Sequence, residues 1–369
     1  MKRNYFIVLL SIIFLVACDN NEDPSAPEIA IEIPEVISKK DSLLAKDAGA
    51  TTLMTTKAIE FRTAMHVTDA RKAGVYVYAN KSVAKYKDAP VKLAARLALL
   101  GFTDVYLSVS NAALNGTDMN TNSWVKTFNK EAHKYGIKVH ALHLSDTKMY
   151  VSNDKVYEDA NAVKTYNNSV LETEQKFDGV SADLEPHVLK KGGDDTPQGL
   201  TLFWDSNNNY GIGKSNDLLL KKTLDILALA KQELQDIPLS EAISFLYQPK
   251  VNDKQLEYGD TKDFLKYCNH VILMSYYNKK ETIWNRATPI LSSASATPAS
   301  VFVCIKTSLN TYGDGGDPVT SLQPQGWNYL KESLEYFYDK SKNMPAMKGV
   351  CIFEFEGVET MWEWENDKN

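Results

Sequence analysis

The sequence predicts a (β/α)8 TIM barrel of the α/β class. From residue 74 onward, short apolar runs recur along the chain, and longer amphipathic stretches lie between them. Strands that alternate with helices form a parallel sheet, and eight such strands close a barrel. The alternative is an open, doubly wound sheet, whose first strand is often followed by a Gly-rich phosphate loop. Here the first strand leads into Ala-Asn-Lys-Ser at residues 79–82, so the barrel is favoured.

The strands of this prediction are short apolar runs that end in polar residues. They cover residues 74–80, 103–110, 137–144, 177–185, 242–248, 270–278, 300–308 and 349–356. The stretches between them have apolar residues at helical spacing. Such helical patterns lie at residues 91–100, 124–135, 217–234 and 329–340.

The composition is that of an acidic, globular protein. The 369 residues include 41 Lys and Arg against 47 Asp and Glu, which gives a formal net charge of −6. Gly, Pro and charged residues occur at globular frequencies, which excludes a disordered or collagen-like chain. Outside Lys2 and Arg3 the chain has no basic run, and a nucleic-acid binder needs a basic patch to neutralise phosphates. Nucleic acid is therefore not an expected partner.

The amino terminus is typical of an exported protein. Lys2 and Arg3 precede an apolar run at residues 6–16, which is too short to cross a bilayer and is typical of a signal peptide. The segment Leu-Val-Ala-Cys at residues 15–18 resembles the lipobox of bacterial lipoproteins. That resemblance implies cleavage after residue 17 and acylation of Cys18. The alternative is an ordinary secreted chain in which this cysteine occurs by chance.

The predicted domains follow from this reading. Residues 18–45 are rich in Pro, acids and small polar residues and are expected to form a flexible tether, and residues 46–369 are expected to form the barrel. Lipid on Cys18 would anchor the protein in the bacterial cell envelope, with the outer membrane as the expected location. The acids at residues 19–28 resemble export tags of surface-displayed lipoproteins, although an acidic tether is also simply soluble. Removal of residues 1–17 deletes two basic residues and no acid, so the mature net charge is −6 − 2 = −8.

Polar side chains end the predicted strands, and the active sites of such barrels lie at that rim. These residues are Tyr78 and Asn80, Ser108 and Ser110, His143 and Ser145, Asp183 and Glu185, Tyr247 and Gln248, Tyr276 and Asn278, Lys306, and Glu354 and Glu356. We therefore expect a polar site at the carboxyl ends of the strands.

The fourth predicted strand has the clearest signal. Ser181, Asp183 and Glu185 alternate with apolar residues, so we expect them to share the face that points to the barrel axis. Carboxyl groups two residues apart on a strand lie within about 7 Å. Partial dehydration of such a pair raises the pKa of one member, which can then act as a general acid near neutral pH. The alternative is a buried acid pair satisfied by tyrosine hydroxyls or a lysine.

This strand resembles the signature of glycoside hydrolase family 18, which comprises chitinases and endo-β-N-acetylglucosaminidases. The family pattern Asp-Gly-x-Asp-x-Asp-x-Glu is matched by Asp178, Gly179, Asp183 and Glu185, while Ser181 replaces the middle acid.

The sixth strand is similar to the same family. The family motif Met-x-Tyr-Asp is matched by Met274 and Tyr276, while Tyr277 stands at the position of the acid and Asn278 follows it. The order of elements agrees with the family over about residues 73–364.

The resemblance implies an activity that uses the 2-acetamido group of the substrate as nucleophile and needs no cofactor or metal. Glu185 would be the general acid, Asp183 would bind the acetamide N–H and stabilise the oxazolinium charge, and Tyr276 would hydrogen-bond the acetamide oxygen. A tryptophan after the eighth strand floors the sugar site of the family, and Trp362 or Trp364 would take that place. The predicted substrate-binding residues are Tyr78, Asp178, Ser181, Gln248, Met274, Tyr277, Asn278, Glu354, Glu356 and Trp362.

Other functions stay open at this point. Ser181 and Tyr277 depart from the family pattern, which keeps a non-catalytic or weakly active glycan-binding lipoprotein as the alternative. A structural or adhesion protein on the same scaffold is a third class, since a fold does not fix a function. Glu354 and Glu356 could pair with Glu185 in an ordinary two-carboxylate mechanism, bind sugar hydroxyls or balance Lys306. A Schiff base on Lys306 ranks low, because acids beside it would keep it charged.

Histidine and cysteine give no metal or disulfide framework. His140 and His143 are three residues apart on a strand and so face opposite sides, which prevents both from binding one metal ion. Cys268, Cys304 and Cys351 lie in apolar stretches and are predicted to be buried thiols.

Overall fold

In the computed structural model, which describes residues 37–189, 193–198, 211–309 and 318–365, parallel strands close a barrel. Each strand pairs with the next, and β8 returns to β1, so the predicted (β/α)8 fold is confirmed. The strands are β1 (Lys72–Val77), β2 (Asp104–Ser108), β3 (Lys138–Leu144), β4 (Gly179–Ala182), β5 (Leu239–Ser244), β6 (His270–Met274), β7 (Val301–Lys306) and β8 (Met347–Phe353).

Helices surround the barrel. They are α1 (Lys39–Ala48), α2 (Thr52–Met65), α3 (Pro90–Leu99), α4 (Asn111–Leu114), α5 (Met119–Lys134), α6 (Asn153–Ser169), α7 (Lys214–Leu234), α8 (Tyr247–Asn252), α9 (Thr261–Leu265), α10 (Lys280–Ser293), α11 (Gly326–Ser341) and α12 (Phe355–Glu363). Among the described helices, none has both the length and the apolar character needed to span a bilayer.

The amino-terminal predictions lie mostly outside the described residues. The signal peptide, Cys18 and residues 18–36 of the predicted tether belong to that part of the chain. Residues 39–45, which the sequence assigns to the tether, instead begin helix α1. Ser38 caps this helix, and Arg62 of α2 forms an ion pair with Asp41 at 2.5 Å, so the helix is held against the domain.

All the predicted strands are found, but most are shorter than predicted; β4 and β6, for example, end at Ala182 and Met274 instead of residues 185 and 278. Two further differences move candidate site residues into helices. β5 runs over Leu239–Ser244 instead of 242–248, so Gln248 lies in the helix that follows the strand. β8 ends at Phe353 instead of residue 356, and α12 begins at Phe355. The acid Glu241 explains the first difference, because a fully buried carboxyl in the middle of β5 interrupts the apolar pattern by which a strand is recognised.

The lower half of the barrel is filled by aromatic side chains and a few buried polar groups. Tyr106 and Phe302 belong to this inner core, and the Tyr106 hydroxyl lies 2.8 Å from His270 Nε2. His140 Nε2 lies 3.1 Å from Asp104 Oδ1 in the same layer. These groups fill the barrel below the carboxyl ends of the strands, and so form the floor of any cavity at that end. The prediction of buried, free thiols is confirmed for Cys268, Cys304 and Cys351.

The first and last parts of the domain pack together. Lys57 of α2 donates to the carbonyl of Met361 at 2.8 Å, and the Trp362 indole donates to the carbonyl of Met54 at 2.6 Å. Arg96 of α3 forms an ion pair with the buried Glu359 of α12 at 2.5 Å. These bonds hold α12 beside α2 and α3, next to the seam where β8 meets β1.

Closure at that seam depends on Gly349. Its φ is +153°, and a Cβ there would lie 1.8 Å from the carbonyl oxygen of Lys72 on β1. We expect Gly349→Ala to lower the free energy of unfolding by roughly 3 kcal/mol, through steric overlap and backbone strain. Urea denaturation followed by circular dichroism measures the change.

Gly136 is the matched control for that substitution. Its φ of +76° also disfavours a side chain, but a Cβ there would meet nothing within 4 Å. Gly136→Ala should therefore cost only about 1–2 kcal/mol of backbone strain. Equal effects of the two substitutions would contradict a steric requirement at the seam between β8 and β1.

Candidate active site

A cavity of about 580 Å3 opens at the carboxyl ends of the strands. Its walls combine acids, tyrosines and apolar side chains. They are Tyr76, Tyr78, Asp183, Glu185, His187, Val188, Ala242, Met274, Tyr276, Lys306 and Phe353. The cavity therefore lies where active sites of this fold occur.

The end of β4 brings two acids to this cavity. The strand stops at Ala182, and the N–H of Asp183 still donates to the carbonyl of Leu144 on β3 at 2.9 Å. Pro186 then begins a short 3-10 turn, directly after Glu185. Because Asp183 and Glu185 are two residues apart in nearly extended chain, both side chains reach the same cavity.

The two acids have different surroundings. Burial, reinforced by the neighbouring charge of Glu185, raises the pKa of Asp183 to about 8. The buried Oδ1 of Asp183 has no hydrogen-bond partner among the described residues. Glu185 is more open, with 31% of its side chain exposed, and its Oε1 lies 3.2 Å from Nε2 of His187. The site therefore keeps a proton on Asp183 at neutral pH.

Aromatic rings form the opposite wall around Tyr276. The ring of Phe353 packs 5.3 Å from that of Tyr276, and it also contacts Tyr78 at 5.7 Å and Tyr76 at 5.8 Å between centroids. Burial raises the pKa of Tyr276 well above its usual value, so its hydroxyl keeps its proton and can donate a hydrogen bond. Flat rings with one polar edge suit the face and the hydroxyls of a sugar.

Arg286 of α10 fixes the loop that carries Tyr276. Its guanidinium donates to the carbonyl of Tyr276 and lies over the Tyr277 ring, 4.7 Å from the centroid. It also lies 4.0 Å from the centroid of Phe245. Tyr277 is therefore half-buried under this cation, and it is not among the side chains that line the cavity. Asn278 follows in the same loop, half-buried and also apart from the cavity lining.

The structure brings together six residues that the sequence singled out, including Lys306 at the end of β7. Asp183, Glu185, Tyr276, Tyr78 and Met274 also line the cavity.

Asp178, Ser181 and Gln248 lie elsewhere. Asp178 is at the opposite end of β4, where its Oδ2 accepts from the N–H of Val139 at 2.7 Å and lies 2.7 Å from His133 Nε2. Ser181 is fully buried inside the barrel, and its hydroxyl has no hydrogen-bond partner among the described residues. Gln248 is buried in α8 and accepts from the N–H and hydroxyl of Thr261, both at 2.8 Å. Asp178 and Gln248 therefore stabilise the scaffold and do not face the cavity.

Glu354 and Glu356 do not lie on β8, although the predicted strand extended to residue 356, because the strand ends at Phe353. Both bind Lys81, which lies 2.6 Å from Glu354 and 3.2 Å from Glu356. Burial raises the pKa of Glu354, and the Lys81 ion pair opposes that rise. Lys81 therefore links the loop after β1 to the start of α12, and these acids are not part of the cavity lining.

Trp362 does not floor a sugar site, which corrects the expectation for it. Its side chain is fully buried on the inner face of α12, where its indole bonds to α2 and the Arg96 guanidinium lies 5.2 Å from its ring centroid. Within β8 and α12, the aromatic side chain that lines the cavity is Phe353, the last residue of β8. The alternation of β8 could have identified it, because Cys351 and Phe353 fall on the inward face.

Sequence reasoning also missed the partners of the acids. His187 was not identified as a partner of Glu185, although the Glu-Pro-His order brings its ring back onto Glu185 through the turn at Pro186. Glu241 was not recognised at all. It is fully buried behind Asp183 and Glu185, and its Oε1 accepts from the N–H of Leu184 at 3.1 Å.

A scan against protein-family models and a search of curated proteins found no match for this chain. Among solved structures, the chain is similar to a family 18 chitinase from Pseudoalteromonas aurantia, with 12% sequence identity and a TM-score of 0.48 over 79% of this chain and 97% of that chain. It is similar to a plant class V chitinase mutant from Cycas revoluta in complex with (GlcNAc)3, with 13% identity and a TM-score of 0.46 over 79% and 97% of the two chains.

A third similar structure is the spore cortex-lytic enzyme SleL from Bacillus megaterium QM B1551, with 14% identity and a TM-score of 0.45 over 85% of this chain and 80% of that chain.

The raised pKa of Asp183 can be measured directly. In 13C NMR of protein labelled at the aspartate carboxyls, we expect Asp183 to titrate near pH 8. Glu185→Gln should lower that pKa, because it removes the neighbouring charge that helps to raise it. The folded-state pKa of Asp183 lies above its unfolded value of about 3.9. Its contribution to the free energy of unfolding is therefore fully present below about pH 3.9 and decreases as the pH rises, until it is lost above about pH 8.

Asp178 is the internal control for this titration. Burial opposes ionisation there, but the bonds from His133 and from the Val139 N–H outweigh it, and the pKa of Asp178 is lowered. A titration of Asp183 near pH 4, or one that Glu185→Gln leaves unchanged, would show that the two carboxyls do not interact as described.

Proposed function

We propose that this protein is a glycoside hydrolase that cleaves glycans containing N-acetylglucosamine, with the 2-acetamido group of the substrate as the nucleophile. The observation that carries the proposal is the joint presence of Asp183, Glu185 and Tyr276 in one cavity, with a proton held on Asp183. The match of Asp178, Gly179, Asp183 and Glu185 to the family 18 motif supports it.

The proton on the acid pair suits substrate-assisted catalysis. In the free site the proton is on Asp183, the more buried carboxyl. When the acetamide N–H donates to Asp183, that carboxyl is stabilised as the anion, and the proton is available to Glu185. Glu185 then transfers it to the glycosidic oxygen as the acetamide oxygen attacks the anomeric carbon. The anionic Asp183 faces the positive charge of the oxazolinium, an interaction that strengthens as the reaction proceeds.

Tyr276 and the aromatic wall would orient the sugar. The protonated Tyr276 hydroxyl can donate to the acetamide oxygen, which fixes that oxygen as the attacking atom. Phe353 and Tyr78 offer flat faces at the same wall, against which the apolar face of a pyranose can pack. Glu185 lines the same cavity and would then face the glycosidic oxygen.

Glu185→Gln tests the proposed role of the general acid. We expect kcat on N-acetylglucosamine oligomers or high-mannose glycans to fall by about 10²–10⁴-fold, with sugar binding by isothermal titration retained. The exposed Glu257 is a matched control, since Glu257→Gln makes the same chemical change away from the cavity. Full turnover by Glu185→Gln would remove Glu185 from the role.

Glycan binding without hydrolysis is the second candidate function. Ser181 favours it, because a serine without a hydrogen-bond partner among the described residues stands where family 18 has an acid. The two candidates differ in what the wild-type protein does with the same sugars. Binding heat without product release would support the binding protein, and product that Glu185→Gln abolishes would support the enzyme.

We further propose that the protein is lipid-anchored at Cys18 in a bacterial envelope and acts on glycans there. Cys18→Ser, expressed in a bacterial host with lipoprotein processing, should release the protein from the membrane fraction and prevent incorporation of radiolabelled palmitate. Cys268→Ser is the control, since that thiol is buried in the folded domain. Labelling that persists in Cys18→Ser would exclude this anchor.

A further inference from the structure

The carboxyl group of Glu241 lies directly behind the two cavity acids. Glu241 is on β5, its side chain is fully buried, and its Oε1 accepts from the N–H of Leu184 at 3.1 Å. Leu184 is the residue between Asp183 and Glu185. The hydrogen bond therefore acts on the short stretch of backbone that carries both cavity acids.

The Glu241 carboxyl accepts the Leu184 N–H in place of a backbone carbonyl of β5. β4 and β5 pair at Val180 with Leu239, Ser181 with Ser240, and Ala182 with Glu241, and their pairing ends there. Lower in the ladder the acceptor is a backbone carbonyl, as where the N–H of Val180 donates to Pro238 at 2.8 Å. At Leu184 the strands have separated, so the carboxyl of Glu241 takes the N–H instead. A buried N–H without an acceptor would be costly.

The surroundings of Glu241 disfavour a charge on it. Burial, together with the charges of Asp183 and Glu185, raises the pKa of Glu241 well above its ordinary range, although the bond from Leu184 opposes this. The other titratable groups in electrostatic range are Tyr150, Tyr247 and Cys268. Burial raises the pKa of each of these as well, so they are neutral and supply no positive charge. Oε2 of Glu241 has no hydrogen-bond partner among the described residues and is the oxygen free to carry a proton.

We propose that Glu241 is a positioning residue, a neutral buried acid whose carbonyl oxygen holds the Leu184 peptide and so sets the spacing and direction of Asp183 and Glu185. The proposal deepens the hydrolase function proposed above and rests on it for its effect on rate. A neutral acceptor secures the backbone without adding a third negative charge beside the two acids. A carboxylate at the same place would hold the same N–H but would repel both of them.

Two substitutions separate the acceptor from the charge. Glu241→Gln keeps an oxygen for the Leu184 N–H and is always neutral, so we expect kcat, KM and the pH profile to stay close to those of the wild type. Glu241→Met keeps the volume but removes the acceptor, so we expect kcat to fall by about 10²-fold with KM little changed. Val105→Ala on β2 is the control for a loss of buried contacts, because Val105 is fully buried on a strand that does not pair with β4 or β5.

Hydrogen exchange of the Leu184 amide provides a readout that needs no activity. We expect the amide to be protected in the wild type, in Glu241→Gln and in Val105→Ala, and to exchange faster in Glu241→Met. Wild-type protection and wild-type kcat in Glu241→Met would overturn the proposal. Equal losses in Glu241→Gln and Glu241→Met, with a shifted pH profile in Glu241→Gln, would also overturn it by assigning the effect to charge. If the wild type hydrolyses none of the glycans, the hydrolase proposal fails, while amide exchange still decides whether Glu241 holds this peptide.

Discussion

The removal of carboxyl groups from water at the end of β4 is the constraint on which the rest of this site depends. Asp183 and Glu241 are both dehydrated and lie within electrostatic range of Glu185. Three negative charges in that space would cost several kcal/mol, so the fold tolerates the cluster only by keeping protons on it. The same property that opposes stability therefore leaves a transferable proton next to an open cavity.

In the described parts of the barrel, other buried acids have positive or hydrogen-bonding partners, in contrast to Asp183 after β4. Glu354 is also buried, but Lys81 lies 2.6 Å away, and Glu359 lies 2.5 Å from Arg96. Asp183 has no such cation within the described parts of the chain. Acids with a cation at contact distance hold elements together, whereas an acid left to protonate can exchange its proton with a ligand. Burial alone does not distinguish a structural acid from one that can exchange its proton, but the presence of a cation at contact distance does.

The sequence was sufficient for the barrel and for the acids of β4, because both follow from short-range rules. The alternation of strands and helices predicts the closed sheet, and period-two spacing brings Asp183 and Glu185 to one cavity. Gln248 was wrongly predicted to end β5, because the buried Glu241 interrupts the apolar pattern at the start of that strand. The prediction that Trp362 floors a sugar site was wrong, because the sequence of an amphipathic helix does not specify which element its buried aromatic side chain contacts. The packing of α12 on α2 determines that contact. The contact between His187 and Glu185 depends on the turn at Pro186, and turns have no periodic sequence pattern from which such a contact can be predicted.

The seam between β8 and β1 also has a consequence for biosynthesis. β8 supplies hydrogen bonds to both β1 and β7, and its residues, with those of α12, are made after all the other described elements. A nascent chain that stops before residue 347 exposes two unpaired strand edges, which are templates for aggregation. The barrel can therefore close only after every other described strand has been made, because β8 covers the edges of both β1 and β7.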